Sequence, residues 1–286
     1  IFNRGENQGF VLVSASDQAY PIPGYSFTGH YNMESENPAF EDWTKNYAEQ
    51  IAYIISENLP ATTMITENWN RLLGRGQIQP VNVQAVGPLL TTTWNQTCYY
   101  NEQTPAGTSA CGHQYTGCGA TALAQMMRYH NFPATGTGSH SYTWNSITHN
   151  VNFGATTYNW SNMPNSVSAS NSDVAQLMYH SGVALDMQYG NSVSNCFFNF
   201  NSIMPQYFGY APTITNWLTL LISNDTTYQT RIAAEHDSLR PVFYKGSGSN
   251  GQHFFICDGY QNAGYPYHFH FNWGWGGLYN GYFYTS

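Results

Sequence analysis

The sequence predicts an α+β protein, in which helices are segregated from an antiparallel sheet. A run of good helix formers follows Cys118, and two aromatic, β-branched runs with a turn between them lie between His253 and Trp273. The chain also changes character near residue 80, before which short strands and helices form a unit of their own. At 286 residues the chain has ample length for one or two domains with a sizeable core.

The first part of the chain predicts a small unit of two strands and two helices. Residues 9–14 and 22–27 have the composition of short strands, and residues 66–73 that of a short helix. Residues 37–58 predict a longer helix whose apolar residues recur at helical spacing on one stripe: Phe40, Trp43, Tyr47, Ile51, Ile54 and Ile55. Residues 74–88 lose this periodicity, so we interpret them as a linker.

Cys118 lies where a loop becomes an amphipathic helix that ends at Asn131 and Pro133. The unpaired N–H groups of a first helical turn carry partial positive charge and stabilise a thiolate. Gly117 and Gly119 leave room for a substrate backbone beside the sulfur, although they also suit an inert cysteine at a tight turn. Cys118 is therefore a candidate nucleophile that needs a base.

The segment between His253 and Trp273 predicts a β-hairpin that supplies this base. If residues 261–264 form its loop, His253 lies opposite Asn272, and directly opposed Cβ atoms are about 4.5–5.5 Å apart. The Asn272 amide oxygen would then fix one imidazole nitrogen and leave the other for Cys118. A longer loop or a bulge would shift this register.

Together these residues resemble a known family. Gly117-Cys118 is followed by Ala-Thr-Ala, Ala-Gln-Met-Met, Tyr-His-Asn and Pro133, and the His253 segment by Asn-Trp-Gly-Trp-Gly-Gly from Asn272. This pattern is similar to the streptopain family of bacterial papain-fold cysteine endopeptidases. The resemblance also covers the start of the chain. It implies a papain-like fold, a helical part plus an antiparallel sheet, preceded by a small α/β propeptide domain.

The resemblance also implies a zymogen. Residues 1–80 would form an inhibitory prodomain and residues 81–286 the catalytic domain, with maturation cleavage between Arg71 and Val86. Family members continue beyond the tryptophan motif, so we expect the C-terminal end of the catalytic domain to be missing from this chain. The alternative for the first part is an ordinary N-terminal domain with a structural interface.

Carried over by resemblance, Cys118 is the nucleophile, and His253 is the general base and later the general acid. Asn272 or Trp273 occupies the place of the third, orienting group. Asn272 is preferred because its amide accepts a hydrogen bond, whereas an indole only donates one. Trp273 and Trp275 would then shield the pair from water.

The oxyanion hole is also predicted from the resemblance. Gln96, in a Trp-Asn-Gln segment, matches a family element whose side-chain amide binds the oxyanion, and the Cys118 N–H is the second donor. Gln114 is the rival to Gln96. At position 119 streptopain carries valine where this chain has glycine, which alters the local pocket without removing that backbone N–H.

Composition narrows the classes of function. Only 8% of residues are charged and the net charge is −8, which argues against nucleic acid and anionic membranes as partners. The sequence contains no run of about 18 apolar residues, so it predicts no membrane-spanning helix. The expected partners are protein or peptide substrates and the chain's own prodomain. A secreted, bacterial location, and with it a role in virulence, follows only from the resemblance, because the chain shows no signal peptide.

Five cysteines give at most two disulfides and one odd thiol, for which Cys118 is the natural candidate. Cys98 and Cys111 are a possible bridge, and the pairing of the four remaining cysteines, which include Cys196 and Cys257, stays open. Their spacings are not those of a zinc site, so no cofactor or metal is expected. Three histidines are interpreted as structural or as unlikely alternatives to the base: His113, His268 and His270.

Two other functions fit the sequence. A different thiol hydrolase, such as a peptidoglycan amidase, uses the same cysteine and histidine chemistry on another substrate. A secreted binding protein that retains an inactive protease fold is the second alternative.

Overall fold

The structure is a computed structural model that describes residues 1–34, 36–75, 83–197, 200–212, 226–248, 251–262 and 267–285. Ten strands are present in this part of the chain: β1 (Phe2–Asn3), β2 (Phe10–Leu12), β3 (Gly24–Ser26), β4 (Gln84–Val86), β5 (Ser139–Trp144), β6 (Ile147–Asn152), β7 (Val242–Gly248), β8 (Gly251–Asn262), β9 (His268–Asn272) and β10 (Gly281–Tyr284). The helices are α1 (Pro38–Ser56), α2 (Thr63–Leu72), α3 (Cys118–His130), α4 (Ser172–Ala184), α5 (Phe200–Phe208) and α6 (Thr226–Asp237).

Eight of the strands form one antiparallel sheet. Its order is β1-β2-β3-β10-β9-β8-β4, and β7 pairs with the first half of β8 on the same edge that β4 occupies further along. Strands β5 and β6 make a separate hairpin beside α4. The α+β class predicted from the sequence is confirmed, because helices and an antiparallel sheet pack as separate layers.

The N-terminal unit matches its predicted elements and joins the main sheet. The predicted strands and helices correspond to β2, β3, α1 and α2. The Asn37 side chain accepts a hydrogen bond from the N–H of Phe40 and caps the start of α1. Strand β3 pairs with β10, so backbone hydrogen bonds connect the first residues of the chain to its last strand.

The linker prediction is only partly correct. Residues 84–86 form β4, which pairs with β8 at Val86 and Tyr260, and Leu89 N–H donates to the Asp258 carbonyl. The strand escapes a periodicity test because it is three residues long and its partner lies far away in sequence. Residues 76–82 of the predicted linker lie outside the described part of the chain.

Two apolar clusters flank the sheet. One lies among α3, α4 and α5, where Leu123, Met127 and Leu177 are completely buried. The other covers the opposite side of β8, β9 and β10 and includes residues of α1 and α6, such as Phe40 and Ile232. Helix α3 contacts both α4 and β8, which brings its first residue to the boundary between the helical layer and the sheet.

The predicted hairpin is present, but its predicted register is wrong. Asn272 lies opposite Ile256, a β-bulge between Cys257 and Gly259 shifts the pairing, and His253 pairs with Gly246 of β7. Strand β8 continues to Asn262, so residues predicted as loop extend the ladder instead. Pairing with β4 and β7 on its second edge sets this length, and no local sequence signal reports those partners.

Cys98 and Cys111 form a disulfide, with 5.5 Å between their Cα atoms. Cys118, Cys196 and Cys257 are free, and Cys257 is fully buried as a small apolar residue of β8. No described helix is both long and apolar enough to cross a membrane.

Candidate active site

Cys118 occupies the first position of α3, where it is partly buried. Gly117 precedes it with φ of +89°, and a Cβ at this glycine would lie 2.6 Å from the Met187 Sδ atom. Both the left-handed conformation and the close approach require glycine. The turn therefore presents the sulfur at a helix N-terminus, where the backbone N–H groups favour a thiolate.

His253 reaches Cys118 from the third position of β8. The imidazole and the thiol are in hydrogen-bonding contact, and both side chains are partly buried. The next residue along β8, Phe254, also directs its backbone N–H at the sulfur, as does Gly119 of α3. The sheet and the helix thus each contribute one member of the predicted pair, together with backbone donors.

The two groups shift each other's protonation in opposite directions. Burial alone raises the pKa of the Cys118 thiol, but the charge of His253, its hydrogen bond and the two backbone N–H donors together lower it. Burial alone lowers the pKa of His253, but the charge of Cys118, the same hydrogen bond and the Trp273 carbonyl together raise it. Both shifts act in the direction that stabilises a thiolate–imidazolium ion pair.

The orienting partner of His253 is the backbone of Trp273. The His253 Nε2 atom lies 2.8 Å from the Trp273 carbonyl oxygen. A carbonyl only accepts, so Nε2 must carry the proton, and Nδ1 remains to exchange a proton with the sulfur. Of the two residues predicted for this place, Trp273 is the one that contacts His253, through its carbonyl rather than its indole.

Asn272, the preferred orienting residue, does not contact His253 with its side chain. Its amide is buried and bonds to the Thr92 carbonyl at 2.7 Å, to the Gly274 N–H at 3.1 Å and to Gln125 at 3.3 Å. The prediction of a direct Asn272–His253 hydrogen bond is wrong because it depended on the incorrect strand register. Asn272 lies next in sequence to the carbonyl that makes this contact.

Gln96 is held beside the start of α3 with an unused donor. Its backbone carbonyl accepts from the Thr116 N–H at 3.0 Å, two residues before Cys118. Its side chain is 5% exposed, and its Nε2 atom has no hydrogen-bond partner among the described residues. An unpaired buried amide is costly, so such a donor suits a ligand oxygen that completes it.

Gln114, the rival donor, is already engaged. Its side-chain Nε2 donates to the Ala106 carbonyl at 3.2 Å, within the loop that the Cys98–Cys111 disulfide closes. Its backbone N–H also bonds within that loop, to the Pro105 carbonyl. Nearby His113 points to the Thr104 carbonyl at 2.9 Å.

Aromatic rings surround His253. The Trp275 ring stacks against the imidazole with 6.3 Å between centroids, and Phe255 lies at 5.9 Å. The Trp273 indole instead lies in the core below the sheet, where its N–H donates to the Tyr279 carbonyl. Trp275 and Phe255 are therefore the rings that limit water beside the imidazole, and Trp273 contributes packing and its carbonyl.

The other histidines on the hairpin are structural. His268 Nε2 bonds to the Ile22 carbonyl at 2.8 Å, and His270 Nδ1 pairs with buried Asp258 at 2.6 Å. Among the described residues, no group of three or more histidine, cysteine, aspartate or glutamate side chains could hold a metal ion.

Two neighbours of the pair were not predicted. Cys196 places its sulfur 2.5 Å from where a Cβ of Gly119 would stand, so glycine at this position accommodates a second thiol. Gln125 lies on α3 two turns after Cys118 and is completely buried. A polar residue within the otherwise apolar Ala-Leu-Ala-Gln-Met-Met run was the sequence signal that could have identified it.

A helix-borne thiolate, an imidazole on a neighbouring strand and a carbonyl that orients the imidazole define a papain-like thiol hydrolase site. The sequence profile of the Peptidase C10 family matches residues 94–283, and that of the Spi protease inhibitor matches residues 1–51. The chain belongs to the Peptidase C10 family. It is a cysteine peptidase that carries an inhibitor-type N-terminal segment, as a zymogen does.

Similar proteins include two bacterial proteases. The thiol protease/hemagglutinin PrtT of Porphyromonas gingivalis is 31% identical over all of this chain, and streptopain of Streptococcus pyogenes is 30% identical over 96% of it. The chain spans a third (33%) of the length of the first relative and 71% of the second.

Two solved structures from Prevotella intermedia share the fold. A prointerpain A fragment gives a TM-score of 0.77 at 31% identity. The match covers 96% of this chain and 85% of the prointerpain A chain. Active interpain A gives a TM-score of 0.62 at 34% identity. The match covers 70% of this chain and 85% of the interpain A chain. The papain-like fold with a propeptide domain, predicted from the sequence, is thereby confirmed.

Proposed function

We propose that the chain hydrolyses peptide bonds within proteins through Cys118 and His253, after its N-terminal unit has been removed. The observation that carries this proposal is the contact between the two side chains, with opposite pKa shifts that favour the ion pair. The family match supports a peptidase over a peptidoglycan amidase, and an intact thiol–imidazole pair argues against an inactive binding protein.

Acylation begins when the Cys118 thiolate attacks the carbonyl carbon of an extended peptide. The oxyanion that forms accepts hydrogen bonds from the Cys118 N–H and from the unpartnered Gln96 side chain. The His253 imidazolium gives its Nδ1 proton to the leaving amine, while the Trp273 carbonyl keeps the ring in place. The product is a thioester between Cys118 and the acyl half of the substrate.

Deacylation reverses the roles. The imidazole of His253, now neutral, takes a proton from water, and the resulting nucleophile attacks the thioester. The same two donors hold the second oxyanion, and its collapse releases the acid and restores the thiolate–imidazolium pair. Trp275, which stacks on the imidazole ring, limits competing water beside it.

The N-terminal unit would keep the enzyme latent by docking on the sheet. Phe40 of α1 is 1% exposed and lies 4.5 Å from the Tyr279 ring and 5.8 Å from the Phe283 ring, measured between centroids. The Asn37 side chain donates to the Leu278 carbonyl at 2.9 Å. These contacts attach α1 directly behind the segment that contains Trp273.

We place the boundary between prodomain and catalytic domain near residue 80, with cleavage between Arg71 and Val86. This division is supported by the position of β4, which pairs with β8 at the end of the sheet opposite β1, β2 and β3. The prointerpain A fragment covers 96% of this chain and active interpain A covers 70% of it. The difference is about the length of residues 1–80. By analogy with the bacterial protease relatives, we also propose that the protein is secreted and that its substrates are proteins.

The experiment compares casein hydrolysis by the intact chain and by chain nicked between residues 71 and 86. Activity is expected only after nicking, and a Cys118→Ala variant, nicked in the same way, is expected to be inactive. A matched Cys196→Ala variant keeps the nucleophile and removes a neighbouring thiol, so it is the control for nonspecific loss.

Nicked chain that neither cleaves casein nor reacts with iodoacetamide at Cys118 would exclude the thiol mechanism. Hydrolysis of cell-wall peptides without hydrolysis of casein would assign the site to an amidase instead.

A further inference from the structure

A buried amide pair links the active-site helix to the segment that orients His253. Gln125 of α3 is 0% exposed, and Asn272 at the end of β9 is 2% exposed. The Gln125 Nε2 atom donates to the Asn272 Oδ1 atom at 3.3 Å, and the Asn272 Nδ2 atom donates to the Gln125 Oε1 atom at 3.3 Å. The two side chains therefore exchange a reciprocal pair of hydrogen bonds across the layers of the fold.

Backbone groups fix the orientation of both amides. The Gln125 Oε1 atom accepts from the Trp94 N–H at 3.1 Å, which can only donate. The Asn272 Nδ2 atom donates to the Thr92 carbonyl at 2.7 Å, which can only accept. Neither amide can be turned over without placing like groups together, so each position requires a side chain that presents both a donor and an acceptor.

Asn272 holds one end of the peptide group that holds His253. The peptide unit between Trp273 and Gly274 contributes its N–H to the Asn272 Oδ1 atom at 3.1 Å and its carbonyl to the His253 Nε2 atom at 2.8 Å. Because a peptide unit is planar, fixing its N–H also fixes the direction of its carbonyl. Gln125 bonds the same Oδ1 atom and so restrains this arrangement from α3.

The carbonyl oxygen of the Gln125 side chain contacts the segment that leads to Gln96, the proposed oxyanion donor. Its Oε1 atom accepts from the Thr92 hydroxyl at 2.9 Å as well as from the Trp94 N–H. Trp94 in turn accepts from the Gly276 N–H through its carbonyl, and Gln96 follows two residues later. One buried side chain thus contacts both segments that flank the cysteine and histidine.

We propose that Gln125 is a positioning residue of the catalytic site, which acts through Asn272 to hold the peptide group that orients His253. The inference rests on the proposed roles of Cys118 and His253. It assigns a function to a residue that touches neither the substrate nor the reacting atoms.

The test compares Gln125→Met with Gln229→Met. Both changes replace a buried glutamine by a side chain of similar length without an amide, and Gln229 of α6 bonds the Thr285 carbonyl away from the site. The rate of Cys118 alkylation by iodoacetamide is measured against pH on chain nicked between residues 71 and 86. Casein-peptide hydrolysis after linker nicking then separates kcat from KM.

Gln125→Met is expected to move the alkylation profile toward the ordinary thiol range and to lower kcat by about 10- to 100-fold, with little change in KM. Gln229→Met is expected to lose stability only and to keep the wild-type profile. The double variant Asn272→Leu, Gln125→Met should lower kcat by about as much as either change alone, because both changes break one connected hydrogen-bonded unit.

Gln125→Glu gives an independent signature. A protonated carboxyl reproduces the amide pattern, since its hydroxyl donates to Asn272 and its carbonyl accepts from Trp94. Burial raises the pKa of such a carboxyl above its usual value of about 4.3. Activity is therefore expected to survive on the acid side and to disappear as pH rises through that raised pKa.

An unchanged alkylation profile and unchanged kcat in Gln125→Met would overturn the proposal. If Gln125→Met does not fold, the Gln125→Glu variant provides the test. Activity of Gln125→Glu that is lost or kept equally at all pH values would also overturn the proposal. Failure of Cys118 to alkylate in the nicked chain without substitutions would instead refute the proposed function on which the inference rests.

Discussion

Cys118 and His253 stabilise each other's charged form, and this sets the pH range of activity. The pKa of the thiol is lowered and that of the imidazole is raised, each mainly through the other partner once burial has been overcome. The active ion pair forms as pH rises through the lowered thiol value and is lost as pH rises through the raised imidazole value.

We expect kcat/KM of the nicked enzyme to follow a bell-shaped profile. Its acid limb should lie below the ordinary thiol pKa of about 8.5, and its alkaline limb above the ordinary imidazole pKa of about 6.5. In His253→Ala the pH at which Cys118 alkylates should move upward, with Cys118→Ala as the blank. An alkylation profile independent of His253 would contradict the ion pair.

Gln96 and Gln114 are distinguished by their side-chain partners. Gln96→Ala removes a buried donor with no partner of its own and should lower kcat about 10²- to 10³-fold. Gln114→Ala breaks only its bond to the Ala106 carbonyl and should leave kcat nearly unchanged. Steady-state hydrolysis by both nicked variants measures the difference, and a larger loss in Gln114→Ala would reverse the assignment.

Gly119 and Cys196 are expected to be energetically coupled. A side chain at residue 119 would place its Cβ 2.5 Å from the Cys196 sulfur, so Gly119→Val should cost about 1–3 kcal/mol through overpacking. Cys196→Ala in the same chain should recover most of this loss. Urea unfolding of the single and double variants gives the coupling, and strictly additive losses would show that the two positions do not compete for space.

At the scale of the element, α1 packs apolar side chains of the N-terminal unit against the catalytic side of the sheet. Its buried residues, Ala39 and Phe40, enter the same apolar cluster as β9 and β10. Later turns are partly or fully exposed, but Trp43 and Tyr47 still reach the sheet, with ring centroids 4.9 Å from Phe283 and 6.1 Å from Tyr284.

Phe40→Ala should lower the free energy of unfolding by about 3–5 kcal/mol, because it removes a large buried ring. It should also release some casein-hydrolysing activity without nicking. Tyr53→Ala is the matched control, since Tyr53 lies on the same helix but is 61% exposed, and it should change stability by about 0.5 kcal/mol or less. Equal effects of the two changes would exclude α1 packing as the cause of latency.

At the scale of the whole molecule, one sheet runs through both proposed units. Strand β3 pairs with β10 by backbone hydrogen bonds, and both units contribute to one apolar cluster. Such shared contacts make unfolding of one unit costly for the other.

The intact chain should therefore unfold in a single thermal transition. Once the linker is nicked and the N-terminal unit has been separated, the remaining unit should melt at a lower temperature, by about 2–4 °C for each kcal/mol of lost contact. Differential scanning calorimetry measures both. Two well-separated transitions in the intact chain would show that the units are energetically independent.

The sequence by itself determined the local elements and the reacting groups. Helix periodicity and the glycine turn identified α3 and Cys118, and the aromatic runs identified the strand that contains His253. These inferences succeed because side-chain spacing and turn chemistry act over a few residues. The family pattern around both residues added the propeptide arrangement.

Only the tertiary structure decided which atoms meet. The β8–β9 register depends on partners on both edges of β8, so the sequence misplaced Asn272 opposite His253. The orienting group is a backbone carbonyl, which every residue possesses and no composition signal marks. Gln125 likewise gains its role from segments distant in sequence that pack against α3.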